Sequence, residues 1–293
     1  TAGSDPPLPA GDSVVSLQVD PATISLDSPA RYAQIVVTAD LASGAKIDVT
    51  RQVSYELASP VAKINAAGVV RPIADGNGQL QIKLGDKTAS IDVQVAGLGT
   101  PQHPDFIQDV APILARAGCN QGTCHGAQAG KNGFKLSLRG YDHVFDLRAL
   151  ADDLASRRVN VASPAGSLML LKPTAAVPHT GGQAIKPGTR YYETLRAWIA
   201  DGAHLNLASS RVTGIQVTPS NPIVEAIGAR QQMRVVATYA DGKQRDVTRE
   251  AFLESGNTDI VKTVPEHAGL VESLRRGEAP VLDQLKSAIF RLA

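Results

Sequence analysis

The sequence predicts a multidomain protein with a mostly helical middle domain between two all-β sandwiches. Three observations support this fold class. The length of 293 residues is about twice that of a usual single domain. Short alternating apolar runs, separated by turn residues, occupy both ends of the chain, as expected for β-sandwiches. Between them the apolar residues change to a helical period.

Composition and charge exclude several classes of protein. Lysine plus arginine total 29 against 28 aspartate plus glutamate, which leaves a net charge of +1 and no electrostatic basis for binding nucleic acid. No apolar run approaches the roughly 18 residues that span a bilayer, so we expect no membrane-spanning segment. The chain begins at Thr1 without a secretory leader, which predicts a mature exported product or a piece of a longer protein.

The first β-sandwich is predicted over residues 14–97, after an N-terminal tail of residues 1–13 and before a linker of residues 98–103. Turn clusters such as residues 42–44 (ASG) separate its strands. The clearest alternating strands are residues 16–19, 33–38, 79–84 and 90–95.

An internal repeat predicts the second sandwich, over residues 211–293. Residues 17–21 (LQVDP) match 215–219 (IQVTP), and residues 47–51 (IDVTR) match 245–249 (RDVTR). In each Asp-Val-Thr we expect valine to face the core while aspartate and threonine bond the turn. The second copy departs from the first at its end, because residues 281–290 have the pattern of a helix.

The middle domain is predicted over residues 104–207. One helix is expected to begin at Phe106 after the start signal Pro104-Asp105, and another around residues 145–156. A third carries Trp198 and ends at Asp201-Gly202. The rest is rich in glycine and proline, so we expect a non-protein group to fill the core.

Both cysteines of the chain lie in one motif, residues 119–126 (CNQGTCHG). A cysteine pair followed at once by histidine is the attachment signal of c-type haem. The usual gap between the cysteines is two residues. Here it is four, and Gly122 would give the wider loop its backbone freedom. The same spacing suits a small disulfide, or a zinc site completed by a distant ligand.

Together these segments resemble two known families. The Asp-Val-Thr repeats resemble group 2 bacterial Ig-like domains, which space or display their neighbours. The middle domain is similar to planctomycete-type cytochrome c domains over residues 106–114, 119–126, 167–173, 177–182 and 195–203. The resemblance implies a mostly α cytochrome c-like domain between two all-β Ig-like sandwiches. It further implies haem c bound covalently by Cys119 and Cys124, with His125 as the proximal iron ligand.

The sixth iron ligand departs from the general cytochrome c pattern. Val177 occupies the position where a methionine normally precedes proline. The candidates are therefore His179, in the same loop, and Met169, whose neighbours have the pattern of a packed core. If His179 binds iron, both axial ligands are imidazoles; otherwise the distal site is open.

The resemblance favours an electron-transfer or haem-binding protein over an enzyme. Attachment of haem to thiols takes place outside the cytoplasm, which predicts an exported protein of the periplasm or cell surface. Redox partner proteins are expected, and a polysaccharide or a larger parent polypeptide is a further partner. Two alternative functions remain open. One is small-ligand sensing or peroxidase-like activity at an open distal site, and the other is a structural or carbohydrate-associated adhesion module.

Overall fold

The chain divides into two compact units. A computed structural model describes residues 8–224, 226–285 and 288–291, with side chains described as far as Val281. The first unit combines residues 1–100 with residues 212–293, and the second comprises residues 101–211. Two segments that are distant in sequence therefore form one body, and the second unit is inserted between them along the chain.

The first segment of unit one is a β-sandwich. Its strands, all within the described residues, are β1 (Val14–Asp20), β2 (Thr23–Leu26), β3 (Ala33–Gln34), β4 (Val36–Leu41), β5 (Lys46–Asp48), β6 (Ser54–Leu57), β7 (Ala62–Ile64), β8 (Val69–Pro72), β9 (Gly76–Leu84) and β10 (Lys87–Val95). They form sheets in the orders β1-β4-β5, β2-β10-β9-β6 and β3-β8-β7. The β2–β10 pair is parallel, whereas β9 and β10 form a long antiparallel hairpin.

Alternation along these strands builds the core of the first sandwich. Leu80 and Ile82 of β9 face inward and are fully buried, as are Val37 and Ala39 of β4. Intervening positions on β9 and β10 are exposed. This period of two buries one face of each strand and leaves the other face in water.

The second segment of unit one repeats this plan. Its described strands are β11 (Val212–Thr218), β12 (Arg230–Gln232), β13 (Arg234–Tyr239), β14 (Gln244–Asp246), β15 (Leu253–Ser255), β16 (Val261–Thr263), β17 (Leu270–Ser273), β18 (Val281–Leu285) and β19 (Ala288–Arg291). The sheet orders are β11-β13-β14, β12-β17-β16 and β15-β18-β19. The β11–β13 pair has an irregularity at Val212/Gly214, in the place where β1–β4 has one at Val14/Ser16. The two segments that match in sequence thus form equivalent strands.

The prediction of a helix over residues 281–290 is wrong for the described part of that range. Val281–Leu285 pairs with β15 and then with Ala288–Arg291, both antiparallel, while residues 286 and 287 lie outside the described part. Pairing with Leu253–Ser255 satisfies the backbone of this segment, and this tertiary contact overrides the local helical pattern.

Unit two, all of whose residues are described, has four short α-helices. They are α1 (Ala111–Arg116), α2 (His143–Leu147), α3 (Leu168–Leu171) and α4 (Arg190–Ala200). A π-helical turn at Phe106–Val110 leads into α1, and Asp105 caps it by accepting hydrogen bonds from the N–H groups of Ile107 and Gln108, each 2.8 Å long. None of the described helices is long and apolar enough to cross a membrane.

The prediction of a mostly α cytochrome c-like domain between two all-β Ig-like sandwiches is wrong. Strands dominate the chain, and the longest helix of unit two has only 11 residues. The expected non-protein core is also wrong, because protein side chains fill the centre of this unit. Phe106 contacts Trp198 with ring centroids 5.3 Å apart, and both are buried with Leu136, Leu170 and Leu195.

Two glycines of the first sandwich provide a matched test of this architecture. Gly68 has φ +74°, and a Cβ there would lie 2.9 Å from the Ile35 carbonyl oxygen and 2.8 Å from Thr50 Cγ2. Gly44 has φ +89° but open space around it. We expect Gly44→Ala to cost about 1–2 kcal/mol from backbone strain alone. Gly68→Ala should cost roughly 1–3 kcal/mol more because of the clash. Urea unfolding of both variants measures the difference, and equal losses would contradict the close approach.

Candidate functional site

The cysteine motif forms a closed loop directly after α1. The helix ends where Gly118 adopts φ +79° and the Cys119 N–H donates to the Leu114 carbonyl at 2.9 Å. The His125 N–H then donates back to the Cys119 carbonyl at 3.0 Å. This bond brings the two ends of the loop together, so that the thiols of Cys119 and Cys124 are close enough to interact electrostatically. Both thiols are free.

Glycine is required where the loop closes on itself. A Cβ on Gly126 would lie 2.1 Å from the Asn120 carbonyl oxygen. The Gly126 N–H donates to the Gln121 carbonyl at 3.1 Å, and the Cys124 N–H donates to the same oxygen at 2.9 Å. The compact form of residues 119–126 therefore depends on a residue without a side chain at its end.

Burial dominates the electrostatics of the loop. Removal of the Cys119 sulfur from water raises its pKa to about 12, and the neighbouring Cys124 thiol adds to the rise. Burial likewise lowers the pKa of His125, whose Nδ1–H donates to the Phe134 carbonyl at 3.1 Å. The imidazole packs against the Phe134 ring with centroids 4.5 Å apart. Both groups therefore favour their neutral forms.

The two candidate distal ligands occupy different environments. Met169 lies in the hydrophobic core of unit two, with 8% of its surface exposed. His179 is on an exposed loop, where its Nδ1–H donates to the Gly182 carbonyl at 2.9 Å. His179 is nevertheless near enough to His125 to help lower the pKa of that imidazole. The structure thus keeps Met169 in the core and leaves His179 on an exposed loop, bonded to Gly182.

The prediction of haem c and its iron is wrong, because the described residues do not fit that group. Across the described part of the chain, no three His, Cys, Asp or Glu side chains group as a metal site. Trp198 packs on Phe106 and donates from Nε1 to the His204 carbonyl at 2.9 Å, as part of the protein core. Electron transfer, haem-based sensing and peroxidase-like activity lose their basis with the cofactor.

A second candidate site lies in unit one, between the two sandwiches. The Gln34 N–H donates to Asp246 Oδ2 at 2.8 Å, and the Gln232 N–H donates to Asp48 Oδ2. Each aspartate belongs to one Asp-Val-Thr repeat, and each glutamine to the sandwich opposite. We call this pair of bonds the reciprocal contact. It is isologous in form, because equivalent residues on the two partners exchange the same bond.

Each aspartate of the reciprocal contact uses its other oxygen within its own sandwich. Asp48 Oδ1 accepts from the Thr50 N–H at 2.8 Å, and Asp246 Oδ1 accepts from the Thr248 N–H at 3.0 Å. One carboxylate therefore holds a turn of its own sandwich and a strand of the other. The sequence predicted the first role of Asp-Val-Thr and missed the second.

The glutamine side chains are buried and donate to carbonyls of their own sandwich, while Gln232 Oε1 also accepts from Arg51 Nη2 of the first sandwich. Gln34 and Gln232 are 2% and 0% exposed. Gln34 Nε2 donates to the carbonyls of Ile35 and Ala67, and Gln232 Nε2 donates to those of Met233 and Ala268. These bonds hold the backbone of each glutamine against the opposite aspartate. A signal was present in the sequence, since a glutamine recurs at the start of the same apolar strand in both repeats.

Tyr32 and Arg234 make further bonds between the sandwiches. The Tyr32 hydroxyl donates to Glu250 Oε2 at 2.7 Å and accepts from the Arg249 N–H at 2.8 Å. Arg234 bonds Asp20 Oδ2 through Nη1 at 3.1 Å and Asp246 Oδ2 through Nε at 3.2 Å. Arg234 is 16% exposed at its side chain, so this ion pair is more shielded from solvent than a surface pair.

A polar cleft of about 730 Å³ lies on the first sandwich. Its lining residues are Thr23, Ile24, Ser25, Ser59, Asn77, Gly78, Gln79, Asp92, Val93 and Gln94. No aromatic side chain is among these residues, all of them described, so the cleft lacks a stacking platform for a sugar ring.

Comparison with known proteins yields distant structural neighbours. No family model matches the sequence, and a comparison with curated proteins gave no match. Domains 5–6 of the S-layer protein SbsC share 13% identity over 96% of this chain and 95% of that chain, at a TM-score of 0.35. SbsC domains 4–9 share 13% identity over 95% of this chain and 30% of that chain, at a TM-score of 0.34. SbsC domains 4 and 5 share 20% identity over 29% of this chain and 53% of that chain, at a TM-score of 0.25. These TM-scores are too low to carry an argument about fold or function.

The resemblance to planctomycete-type cytochrome c domains flanked by group 2 bacterial Ig-like domains is therefore wrong as an identification. No family model matches either part, and protein side chains fill the core of unit two, where a haem would lie. The motif of residues 119–126 fits the family in residue type, but the structure places it beside a core that protein side chains fill.

The two aspartates of the reciprocal contact predict that the unfolding free energy of the protein depends on pH. Burial raises the pKa of Asp48 and of Asp246 above the ordinary value of 3.8. The folded state therefore holds these protons more tightly than the unfolded state, and their contribution to stability falls as pH rises from 3.8 through the raised values. In Asp48→Asn/Asp246→Asn this loss is absent. The unfolding free energy of the double variant, relative to wild type, should increase between pH 4 and pH 7 in urea titrations.

The same titrations can contradict this assignment. A difference between double variant and wild type that is independent of pH would show that neither aspartate titrates abnormally. A difference that decreases with pH would show that hydrogen bonds from the glutamine N–H groups and Arg234 outweigh burial.

The Cys119 thiol predicts slow alkylation. Burial raises the pKa of Cys119 to about 12, so the thiol is almost wholly protonated at pH 8, whereas the thiolate is the reactive form. In a Cys124→Ser variant, which isolates Cys119, iodoacetamide should react at least 100-fold more slowly than with a model peptide thiol. Peptide mass mapping measures the rate. The same variant unfolded in guanidinium is the control and should react at the model rate, whereas fast reaction of the folded variant would contradict burial of the sulfur.

Proposed function

We propose that this chain is a structural module of a larger exported polypeptide, in which two sandwiches are locked together and unit two is inserted between them in sequence. The observation that carries the proposal is the reciprocal contact. A polar junction made by one buried carboxylate, Asp246, one half-buried carboxylate, Asp48, and two backbone N–H groups is directional, so the sandwiches cannot slide as they could on an apolar surface.

The surrounding pairs support the same role. Tyr32 with Glu250 and Asp20 with Arg234 add directed bonds at the same junction. Breaking the contact leaves buried donors and carboxylates unpaired, which costs more than the bonds themselves contribute. The junction is therefore suited to keeping two domains at a fixed geometry.

Location and partners are part of this proposal. We place the module in the periplasm or at the cell surface, where a fixed spacing of domains serves the assembly of large polypeptides, and we take the parent polypeptide as its principal partner. Without haem, attachment to thiols gives no support to this location. Polysaccharide binding has weaker support, because the polar cleft on the first sandwich has no aromatic lining.

For unit two we propose a paired thiol site at Cys119 and Cys124, in the loop that His125 closes. The specific support is the bond from the His125 N–H to the Cys119 carbonyl, which closes the loop, and the electrostatic interaction between the two thiols. Intact mass of the protein from its native host should show both thiols modified or neither. A Cys119→Ser variant should then also lose any modification of Cys124. Independent modification of the two cysteines would contradict the pairing.

Removing both carboxylates tests the structural role. In Asp48→Ala/Asp246→Ala each opposite glutamine N–H loses its buried acceptor, at a cost of about 1–3 kcal/mol per site. In wild type, peptides from residues 33–41 and 231–239 should lose amide protection at the same urea concentration. In the variant the second sandwich should lose it first, because its described core is the smaller of the two. Hydrogen exchange with mass spectrometry measures both.

The control is Asp86→Ala, at a side chain that is 84% exposed and pairs only with Lys87 within the described ion pairs. It should leave the two sandwiches opening together. Separate opening in the wild-type protein, or an unchanged double variant, would contradict the proposal.

A further inference from the structure

The stretch between β11 and β12 differs from its counterpart in the first sandwich. Residues 219–232 align with residues 21–34 without a gap, and both ranges begin with proline and end with glutamine. In the first sandwich this stretch contains β2, which pairs in parallel with Asp92–Val95 of β10. In the second, none of the described residues between β11 and β12 belongs to a strand. Among the described strands, the sheet β15-β18-β19 therefore lacks the strand that completes the sheet β2-β10-β9-β6.

Apolar side chains are exposed along this stretch, where the first sandwich buries them. Leu26 of β2 is 2% exposed, whereas Val224, at the same position in the second sandwich, is 37% exposed. Its neighbours Ile223 and Ile227 are 78% and 67% exposed, and none of the three belongs to the described core of that sandwich. A single exposed isoleucine is ordinary, but three apolar side chains at a position that a strand covers in the other sandwich indicate an open edge.

Backbone contacts hold both ends of this stretch in place. The Gly228 N–H donates to the Ser273 carbonyl at 2.9 Å, and the Ser273 hydroxyl donates to the Ala226 carbonyl at 2.7 Å. The other end follows Thr218, the last residue of β11, which pairs with Arg234 of β13. A segment that is fixed at both ends loses less entropy when a strand pairs with it.

The hairpin of β18 and β19 leads toward this edge. These two strands pair in the same register as β9 and β10, with Arg291 in the place of Ser90. Beyond Ser90, β10 continues to Asp92–Val95 and there reaches β2. A strand that continues in line with β19 therefore reaches the segment around Val224.

We infer that the edge formed by residues 222–224 and Ile227 is an interaction surface for one extended strand of the parent polypeptide, which docks in parallel and completes the second sandwich. The inference rests on the proposed structural role and names the class of partner. The docked strand carries apolar residues at alternate positions, as Val93 and Val95 do beside β2, where they are 1% and 2% exposed. Pro222 has no N–H to donate, as is typical of an edge strand, so its neighbours supply the backbone bonds.

An extension of the full chain supplies such a strand. Counted onward along the sequence from Arg291, Ala293 corresponds to Asp92, so residues 93–98 (VQVAGL) are joined directly after Ala293. We expect the amides of Ile223 and Val224 to exchange at least about tenfold more slowly than in the chain without the extension. Amide exchange followed by NMR measures these two sites individually.

The matched control is the same extension with both valines replaced by aspartate, which keeps its length but resists burial. It should leave the exchange of Ile223 and Val224 unchanged. Val224→Asp in the chain with the apolar extension should also remove the protection. In the chain without the extension, Val224→Asp should leave the urea midpoint unchanged, whereas Leu26→Asp should lower it, because only Leu26 belongs to a described core.

Three results overturn the inference. One is equal exchange of Ile223 and Val224 in the chains with the apolar and the aspartate extension. Another is a lowered urea midpoint for Val224→Asp in the chain without the extension, because it would show that this side chain is already packed. The third is protection that appears only with a doubled sedimenting mass, which would assign the docked strand to a second copy of the chain.

The amides of Gln34 and Gln232 separate this failure from failure of the proposed function, because they report the contact between the sandwiches in the same experiment. If they are protected while Ile223 and Val224 are not, only the inference fails. If they exchange freely while the extension protects Ile223 and Val224, the proposed function fails.

Discussion

The organisation of unit one depends on two carboxylates that each serve two sandwiches. Asp48 and Asp246 cap the turns of their own Asp-Val-Thr repeats and accept an N–H from the glutamine of the opposite sandwich. Burying an ionisable group requires partners for both oxygens, and neither sandwich alone supplies all of them. The need to satisfy these carboxylates therefore couples a local turn to the arrangement of two domains.

Sequence alone predicts the parts of this arrangement that are local or repeated. Alternation identifies β9 and β10, and the matched segments place equivalent strands in both sandwiches, because burial of one face imposes a period of two. The Asp105 start signal likewise predicts the beginning of the helical segment in unit two. Each of these features is decided by neighbours along the chain.

Contacts between distant segments explain the parts that the sequence misses. Residues 281–290 have a helical pattern, but their described part forms strands because β15 offers a pairing edge. The cysteine motif matches a haem signal in residue type, yet Phe106, Trp198 and the surrounding leucines fill the core that a cofactor would need. Motifs report which chemistry the side chains can perform, whereas packing decides whether there is room for it. The role of Gln34 and Gln232 does not follow from the sequence, because a buried polar residue in an apolar strand is informative only when its partner is known.

Amide exchange of the unmodified protein at Gln34 and Gln232 tests the central claim most directly. Both N–H groups point out of their own sandwich, so only the opposite aspartate can protect them. If the sandwiches are locked, these amides exchange as slowly as those of Val37 and Val235, which are bonded within their own sandwiches to Thr50 and Thr248. Exchange of Gln34 and Gln232 at the rate of solvent-exposed amides, while Val37 and Val235 stay protected, would contradict the account.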